Sequence, residues 1–317
     1  MSTLTEVTEL ERRVRGRLGA EYGSLRTLPG GHSGLTYSIT AGPVSRVVKA
    51  VPPGQRPVGR NDVLRQARIL RALAGSPVPV PGVVAVDEHE PAWFAMEFVP
   101  GEAIEPVLDE HALDPRLCRT RMLALAAVLR DLHDVSTGAV ESLGPAAESE
   151  RWSRTMRAVP TELRPGAEEV LDALAARIPE SVPPALTHGD FRLGNVLCQG
   201  ERPAAVVDWE IWGYGDPRID LAWFLLFADH RNFPRLGHAV PGLPTEQDLL
   251  TAYLDGRPEP PALDWFRALA RTKMAAIMGH NLRRHREGKH HDPDQERLPP
   301  TIAAMIRTAH DLLARRP

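Results

Sequence analysis

The chain has 317 residues, 43% of them hydrophobic and 25% charged, with a formal net charge of −3. That composition belongs to a globular protein with enough core for two domains or two lobes, and its charge balance points away from nucleic acid or an anionic membrane as partner. Its two cysteines, Cys118 and Cys198, exclude a disulfide framework and sit in no C-x-x-C pattern, so both read as small core residues in a reducing compartment.

The first residues are polar and lack the apolar stretch of a secretory signal, and the most apolar window, 221–228, is too short to span a bilayer. The expectation is a soluble, cytoplasmic protein. Residues 5–18 carry apolar positions at helical spacing, with acids early and arginines late, as a helix dipole prefers. Segments 25–28, 36–39 and 46–50 then read as strands, separated by the turn signals PGGHSG and AGP. A helix over 62–73 is stopped by Gly75 and a proline-rich stretch, and 83–86 and 93–98 read as two further strands. The sum is an antiparallel sheet with one main helix.

The run Met96-Glu97-Phe98-Val99-Pro100-Gly101 breaks this pattern. Helical periodicity dominates afterwards, over 115–133, 150–156, 166–178, 220–228, 246–254, 261–284 and 300–314. The fold class expected is therefore α+β, with a β-rich lobe over 1–99 and a larger helical lobe over 100–317. A hinge between two such lobes makes a cleft, and clefts at domain junctions favour small molecules.

Between the third and fourth of these helices lies the most informative segment, Thr187-His188-Gly189-Asp190-Phe191-Arg192-Leu193-Gly194-Asn195, followed by Val206-Val207-Asp208-Trp209-Glu210. Kinase-type phosphoryl transfer needs one carboxylate to orient the attacking hydroxyl, and oxygen ligands for the magnesium that bridges nucleotide phosphates. Asp190 fits the first role, and Asn195 and Asp208 fit the second. The first gap suits one catalytic loop and the second suits one short hairpin. A structural use of three polar turn residues is the competing reading.

Together with Gly215-Asp216-Pro217-Arg218-Ile219-Asp220-Leu221-Ala222-Trp223, this segment resembles the aminoglycoside phosphotransferase / choline kinase superfamily, a protein-kinase-like fold acting on small molecules. The wording DFRLGN and DWE-x-x-x-x-GDP-x-x-DLAW is most similar to the branch whose relatives include domains fused to acyl-CoA dehydrogenases. The resemblance implies ATP and Mg2+ as cofactors, Asp190 as catalytic base, and Asn195 and Asp208 as metal ligands. It implies a structural His188 and an Asp220 that braces the catalytic loop. In the first lobe it implies that the turn 30–34, with Gly31 and Ser33, covers the phosphates, although a plain hairpin turn explains the glycines equally. It implies that Lys49 pairs with the α- and β-phosphates, against the alternative of a solvated edge charge. Hinge residues Glu97 and Val99 would offer backbone groups to the adenine.

One position departs from the kinase pattern. The helix after the third strand carries Gln66 where a glutamate is expected to hold the lysine, and Asp62, one turn earlier, is an alternative partner. A neutral partner makes a weaker, less charge-assisted contact.

The gap between Asp208 and Asp220 leaves no room for the long activation segment a peptide substrate needs, and there is no A-P-E, so a small-molecule hydroxyl acceptor is expected. A cationic aminoglycoside, with antibiotic resistance as the consequence, would want acids such as Glu210, Asp216 and those of 150–169. Against this stand Arg192 and the basic stretch 280–291 with Arg283 and Arg284, which reads either as a solvated helix end or as an anion site for a hydroxyacyl-CoA. Its histidines lack metal-ligand spacing. A nucleotide-binding module without transfer activity is a further reading, supported by Gln66 alone. The assembly expected is a monomer or homodimer.

Overall fold

The computed structural model of the protein describes residues 4–28, 35–52, 54–109, 113–136, 144–233 and 238–315. They form two compact units, between which the chain passes more than once. The first comprises Met1–Glu102, Val196–Gln199 and Pro203–Trp212, and the second Ala103–Asn195, Gly200–Arg202 and Gly213–Pro317. The segment that carries Asp208 thus belongs with the N-terminal unit, although it follows the catalytic loop in the chain. Backbone pairing explains this: Glu102 and Cys198 exchange hydrogen bonds of 3.0 and 2.9 Å, and Val206 N–H donates to the Pro79 carbonyl at 2.8 Å.

The first unit is built by period-two burial. Helix α1 (Leu4–Leu18) precedes strands β1 (Arg26–Thr27), β2 (Leu35–Ala41) and β3 (Val44–Ala50), then helix α2 (Val63–Leu73) and strands β4 (Val83–Asp87) and β5 (Trp93–Glu97). The five strands are antiparallel in the order β1-β2-β3-β5-β4. One face of the sheet presents Tyr37, Ile39, Val48, Ala50, Trp93 and Ala95 to Leu10 and Val14 of α1. Burying each large apolar side chain of this kind contributes about 1.5–3 kcal/mol. Alternation along β3 then places Lys49, in register with Thr36 and Phe94, on the opposite face. On α2, buried Val63, Gln66, Ala67, Leu70 and Leu73 recur at helical spacing. Asp62 caps this helix by accepting the Arg65 N–H at 2.8 Å, a contact worth about 1 kcal/mol, which commits the carboxylate expected as an alternative partner of Lys49.

The second unit is mostly helical: α3 (Pro115–His133), α4 (Pro145–Arg157), α5 (Ala167–Ala176), α6 (Pro217–Leu226), α7 (Glu246–Leu254), α8 (Leu263–Arg286) and α9 (Pro299–Ala314). Helix α4 begins earlier than its periodicity predicts because Pro145 is pre-organised for a first helical turn. Strands β6 (Ala185–Thr187) and β9 (Gly213–Gly215) pair antiparallel on either side of the catalytic loop and the hairpin β7 (Val196–Gln199)–β8 (Arg202–Val206) in the chain. Helix α8 packs against α4, α6 and α9. It is buried on nearly all sides between Leu263 and Gly279, so it lacks the single apolar stripe of a surface helix. No helix among the described residues is long and apolar enough to cross a membrane.

Candidate active site

In the second unit, β6 delivers the chain into the loop His188–Asn195. Asp216 caps α6 through the Arg218 N–H at 3.0 Å, and Pro217 opens the helix. Asp216 is therefore no acceptor-binding acid: it is buried in an ion pair with Arg218 at 2.5 Å. One turn into α6, the fully buried Asp220 carboxylate accepts the backbone N–H groups of His188 at 2.5 Å and Gly189 at 2.9 Å. Burial alone would raise the Asp220 carboxyl, but the His133 imidazole 4.0 Å away, together with His188, holds it below the usual carboxylate range. His188 is fully buried, and its Nδ1 accepts the Asp190 N–H at 3.3 Å. Both residues thus brace the loop.

The Asp190 carboxylate is held at both oxygens. Oδ1 accepts the Trp223 indole N–H at 2.8 Å, and Oδ2 accepts the Asn195 side-chain amide at 3.0 Å. The same Asn195 nitrogen donates to the Asp190 carbonyl at 2.8 Å. With the amide nitrogen turned to Asp190, the Asn195 oxygen is the atom left to ligate a cation. Arg192 Nε lies 3.5 Å from Asp190 Oδ2, and its Nη1 lies 3.7 Å from Glu105 Oε2. Glu105 is fully buried and accepts the Gly194 N–H at 3.0 Å, while its other oxygen is buried without a hydrogen-bond partner among the described residues. Burial pushes this carboxyl up to about 7, against the opposing pull of Arg192.

In the first unit, Lys49 Nζ donates to Gln66 Oε1 at 3.1 Å and lies 3.5 Å from Asp208 Oδ1 and 3.6 Å from Glu210 Oε1. Gln66 is the direct partner, as its position predicts, and the negative charge that α2 lacks comes from the D-W-E segment. Glu210, expected beside the acceptor, instead stands with Lys49, because it shares a turn with Asp208. That turn is stapled: the Trp209 indole donates to the Val206 carbonyl at 3.0 Å, and the Trp212 indole donates to the Arg65 carbonyl at 3.2 Å. The Arg65 guanidinium stacks 4.3 Å above the Trp212 ring and donates to its carbonyl. Asp208 itself adopts φ 66°, a left-handed conformation that Asp tolerates better than most side chains.

Gly31 and Ser33 lie outside the described residues. Glu97 is exposed at the end of β5, donates its backbone N–H to the Gly82 carbonyl at 2.8 Å and accepts the Gly82 N–H through Oε2 at 3.3 Å; Val99 is half-buried. Arg283 and Arg284 are not brought to Asp190. They lie ten or more residues beyond Lys273, about 15 Å along the same helix. Arg283 donates to the Ala158 carbonyl at 2.8 Å and approaches Glu287 at 3.8 Å, so local contacts already use its charge. Arg284 is exposed.

Three residues of this region escape a reading of the motifs: Glu105, Trp223 and Lys273. Trp223 carried a signal, because it follows Asp220 by three residues and so shares its helix face. Lys273 is one of two buried cations of α8, with Arg271, and its ammonium donates to the Gly189 carbonyl of the loop. Glu105, in an irregular segment, carried none.

Asn195 and Asp208 both offer oxygen, the donor type that magnesium takes, and magnesium binds through few protein ligands and the substrate's phosphates. Among the described residues no three His, Cys, Asp or Glu side chains gather as a metal cage.

The mouse acyl-CoA dehydrogenase family member 10 is 28% identical over 295 residues, which is 85% of this chain but 27% of that protein, so the chain spans about a quarter of its relative. A Ralstonia eutropha structure, provisionally described as an aminoglycoside phosphotransferase, superposes with a TM-score of 0.78 at 23% identity, covering 96% of this chain and 98% of that one. The spectinomycin phosphotransferase APH(9)-Ia, solved with ADP and spectinomycin, gives 0.65 at 13% identity over 96% and 98% of the two chains. The α+β architecture is thus the protein-kinase-like one. Residues 24–266 match the phosphotransferase enzyme family described as APH, and the chain belongs to that family.

Proposed function

We propose that the protein is an ATP- and magnesium-dependent O-phosphotransferase that moves the γ-phosphoryl group of ATP to a hydroxyl of a small molecule. The observation that carries this reading is the Asp190 carboxylate, held at both oxygens by Trp223 and Asn195 on a braced loop. A carboxylate so restrained accepts the hydrogen bond of an incoming hydroxyl, orients its oxygen and takes its proton as the new bond forms. Asn195 and Asp208 would hold magnesium, which when bound supplies charge neutralisation at the phosphates. Lys49 can exchange its contacts with Asp208 and Glu210 for phosphate oxygens, since it is an ammonium with three rotatable donors. Catalysis of this kind is mostly positioning and electrostatic stabilisation. Cys118 and Cys198 are both buried and neither is joined in a disulfide, which suits a cytoplasmic setting.

A second acceptor class has specific support. The chain aligns with part of an acyl-CoA dehydrogenase family member, and Arg192, within the loop itself, places a partly exposed cation beside Asp190. These favour an anionic acceptor such as a hydroxyacyl-CoA over a polycation. The deciding experiment incubates the protein with MgATP and a mixed pool of spectinomycin, amino alcohols, macrolides and hydroxyacyl-CoAs, and reads a phosphate gain by mass spectrometry. A gain on one acceptor, lost in Asp190→Ala, is expected. ATP binding without transfer to any acceptor or to water would overturn the reading in favour of a nucleotide-binding module.

A further inference from the structure

A lysine in the interior of a helical bundle is costly, because burial strips water from its ammonium. Lys273 is 7% exposed, and burial draws its ammonium below the usual lysine range, against the opposing pull of Asp190, Asp220 and Glu148. Nothing in α8 requires a charge there, since its neighbours Leu269, Ala270, Met274 and Ala276 are apolar and buried. Its contacts lead to the catalytic loop. Nζ donates to the Gly189 carbonyl at 2.7 Å and lies 3.7 Å from the centre of the Trp223 ring. The Trp152 ring stands on another side at 5.4 Å, with its own N–H committed to Glu148 at 2.9 Å.

The peptide that Lys273 grips is the one joining Gly189 to Asp190. Its planarity ties the Gly189 C=O to the Asp190 N–H. Lys273 holds the carbonyl end, and His188 Nδ1 holds the N–H end at 3.3 Å. Gly189 has φ 87°, a left-handed turn open to glycine, and the carbonyl beyond it is the one Lys273 receives. The other contact of Lys273 is the indole whose N–H binds Asp190 Oδ1 at 2.8 Å. One ammonium therefore restrains the backbone of Asp190 and, through Trp223, its carboxylate. We propose that Lys273 is a positioning residue that sets the orientation of Asp190 through the Gly189 carbonyl and the Trp223 indole; this rests on Asp190 being the hydroxyl-orienting group.

The test uses the full chain with Lys273→Met, which keeps the volume and removes the charge, and reads two quantities. The first is the indole N–H resonance of Trp223 in protein labelled with nitrogen-15 at its six tryptophans, assigned by its loss in Trp223→Phe. In Lys273→Met this resonance is expected to move upfield and exchange faster with deuterium, while those of Trp93 and Trp209 stay in place. A merely structural role would lower the melting temperature and leave this N–H exchanging with deuterium as slowly as in the wild-type folded protein, and that result overturns the proposal. The second is ADP release from MgATP with water as acceptor. The turnover number is expected to fall about 100-fold, as for a reacting group misplaced by about 1 Å, with the KM for MgATP unchanged. Should Lys273→Met fail to fold, Trp223→Phe carries the test, since it keeps an aromatic ring beside Lys273 and removes the indole N–H donor. A roughly tenfold loss of turnover at native stability is expected, near the worth of one hydrogen bond to a charged group; wild-type turnover overturns the proposal. A wild-type protein without any ATP turnover sinks the phosphotransferase reading instead, and the Trp223 resonance still decides the role of Lys273.

Discussion

Two lysines, one in each unit, show how differently a fold can hold the same side chain. Lys49 reaches an amide at 3.1 Å and two carboxylates at 3.5 and 3.6 Å, distances of loose ion pairs. Lys273 makes a close bond of 2.7 Å to a backbone carbonyl and sits against an indole face, with no carboxylate contact within ion-pair distance among the described residues. The first arrangement is suited to exchange, because a triphosphate oxygen can replace an acid partner at little cost. The second is suited to permanence, because losing the ammonium strands a buried carbonyl.

The comparison can be broken at the group Lys273 serves. Asp190→Ala is expected to lower transfer about 100- to 10,000-fold, the range of a lost general base, with nucleotide affinity retained in calorimetry. Near wild-type transfer would remove the catalytic role of the loop and the reason for fixing it. Lys49→Met sharpens the contrast from the other side. Loss of one charge-assisted contact to phosphate should raise the KM for MgATP roughly 10- to 100-fold, with the melting temperature little changed. If the melting temperature falls sharply while KM stays constant, Lys49 is a structural ion-pair residue and the contrast fails.

The smallest expected effect concerns Glu105, the acid under the loop. Its folded pKa of about 7 lies above the ordinary value of 4.5, so its contribution is fully present below pH 4.5 and is lost as pH rises through 7. The loss is on the order of 3 kcal/mol at most, since a tenfold change in proton affinity corresponds to about 1.4 kcal/mol. Glu105→Gln keeps an acceptor for the Gly194 N–H and does not titrate. Urea unfolding at pH 5 and pH 8 should show wild type losing stability relative to the variant at the higher pH. A constant difference would mean that Glu105 is already ionised and neutralised by Arg192.

The catalytic loop was legible from the chain because its key contacts are local. Asn195 reaches Asp190 across five residues, and His188 reaches it across two, so spacing alone brings them together. The sheet with its one helix was legible for a similar reason, since period-two burial in β2 and β3 follows directly from their alternating residues. The contact of Glu210 with Lys49 was not legible, because its acidic character alone does not reveal which distant cation it meets. Arg283 resembled a free cation in the chain and proved to be occupied by the Ala158 carbonyl, a backbone group that no side-chain pattern displays.

By itself the amino-acid order determined the family, the α+β fold class and the close spacing of the loop residues, because these depend on residue type and short spacing. Only the tertiary structure decided that Trp223, 33 residues away, binds the Asp190 carboxylate, that Lys273, 84 residues beyond Gly189, holds its carbonyl, and that Asp208 belongs with the first unit. Such contacts arise when packed helices bring distant side chains to one point. Burial then gives each of them an energetic weight that sequence distance does not encode.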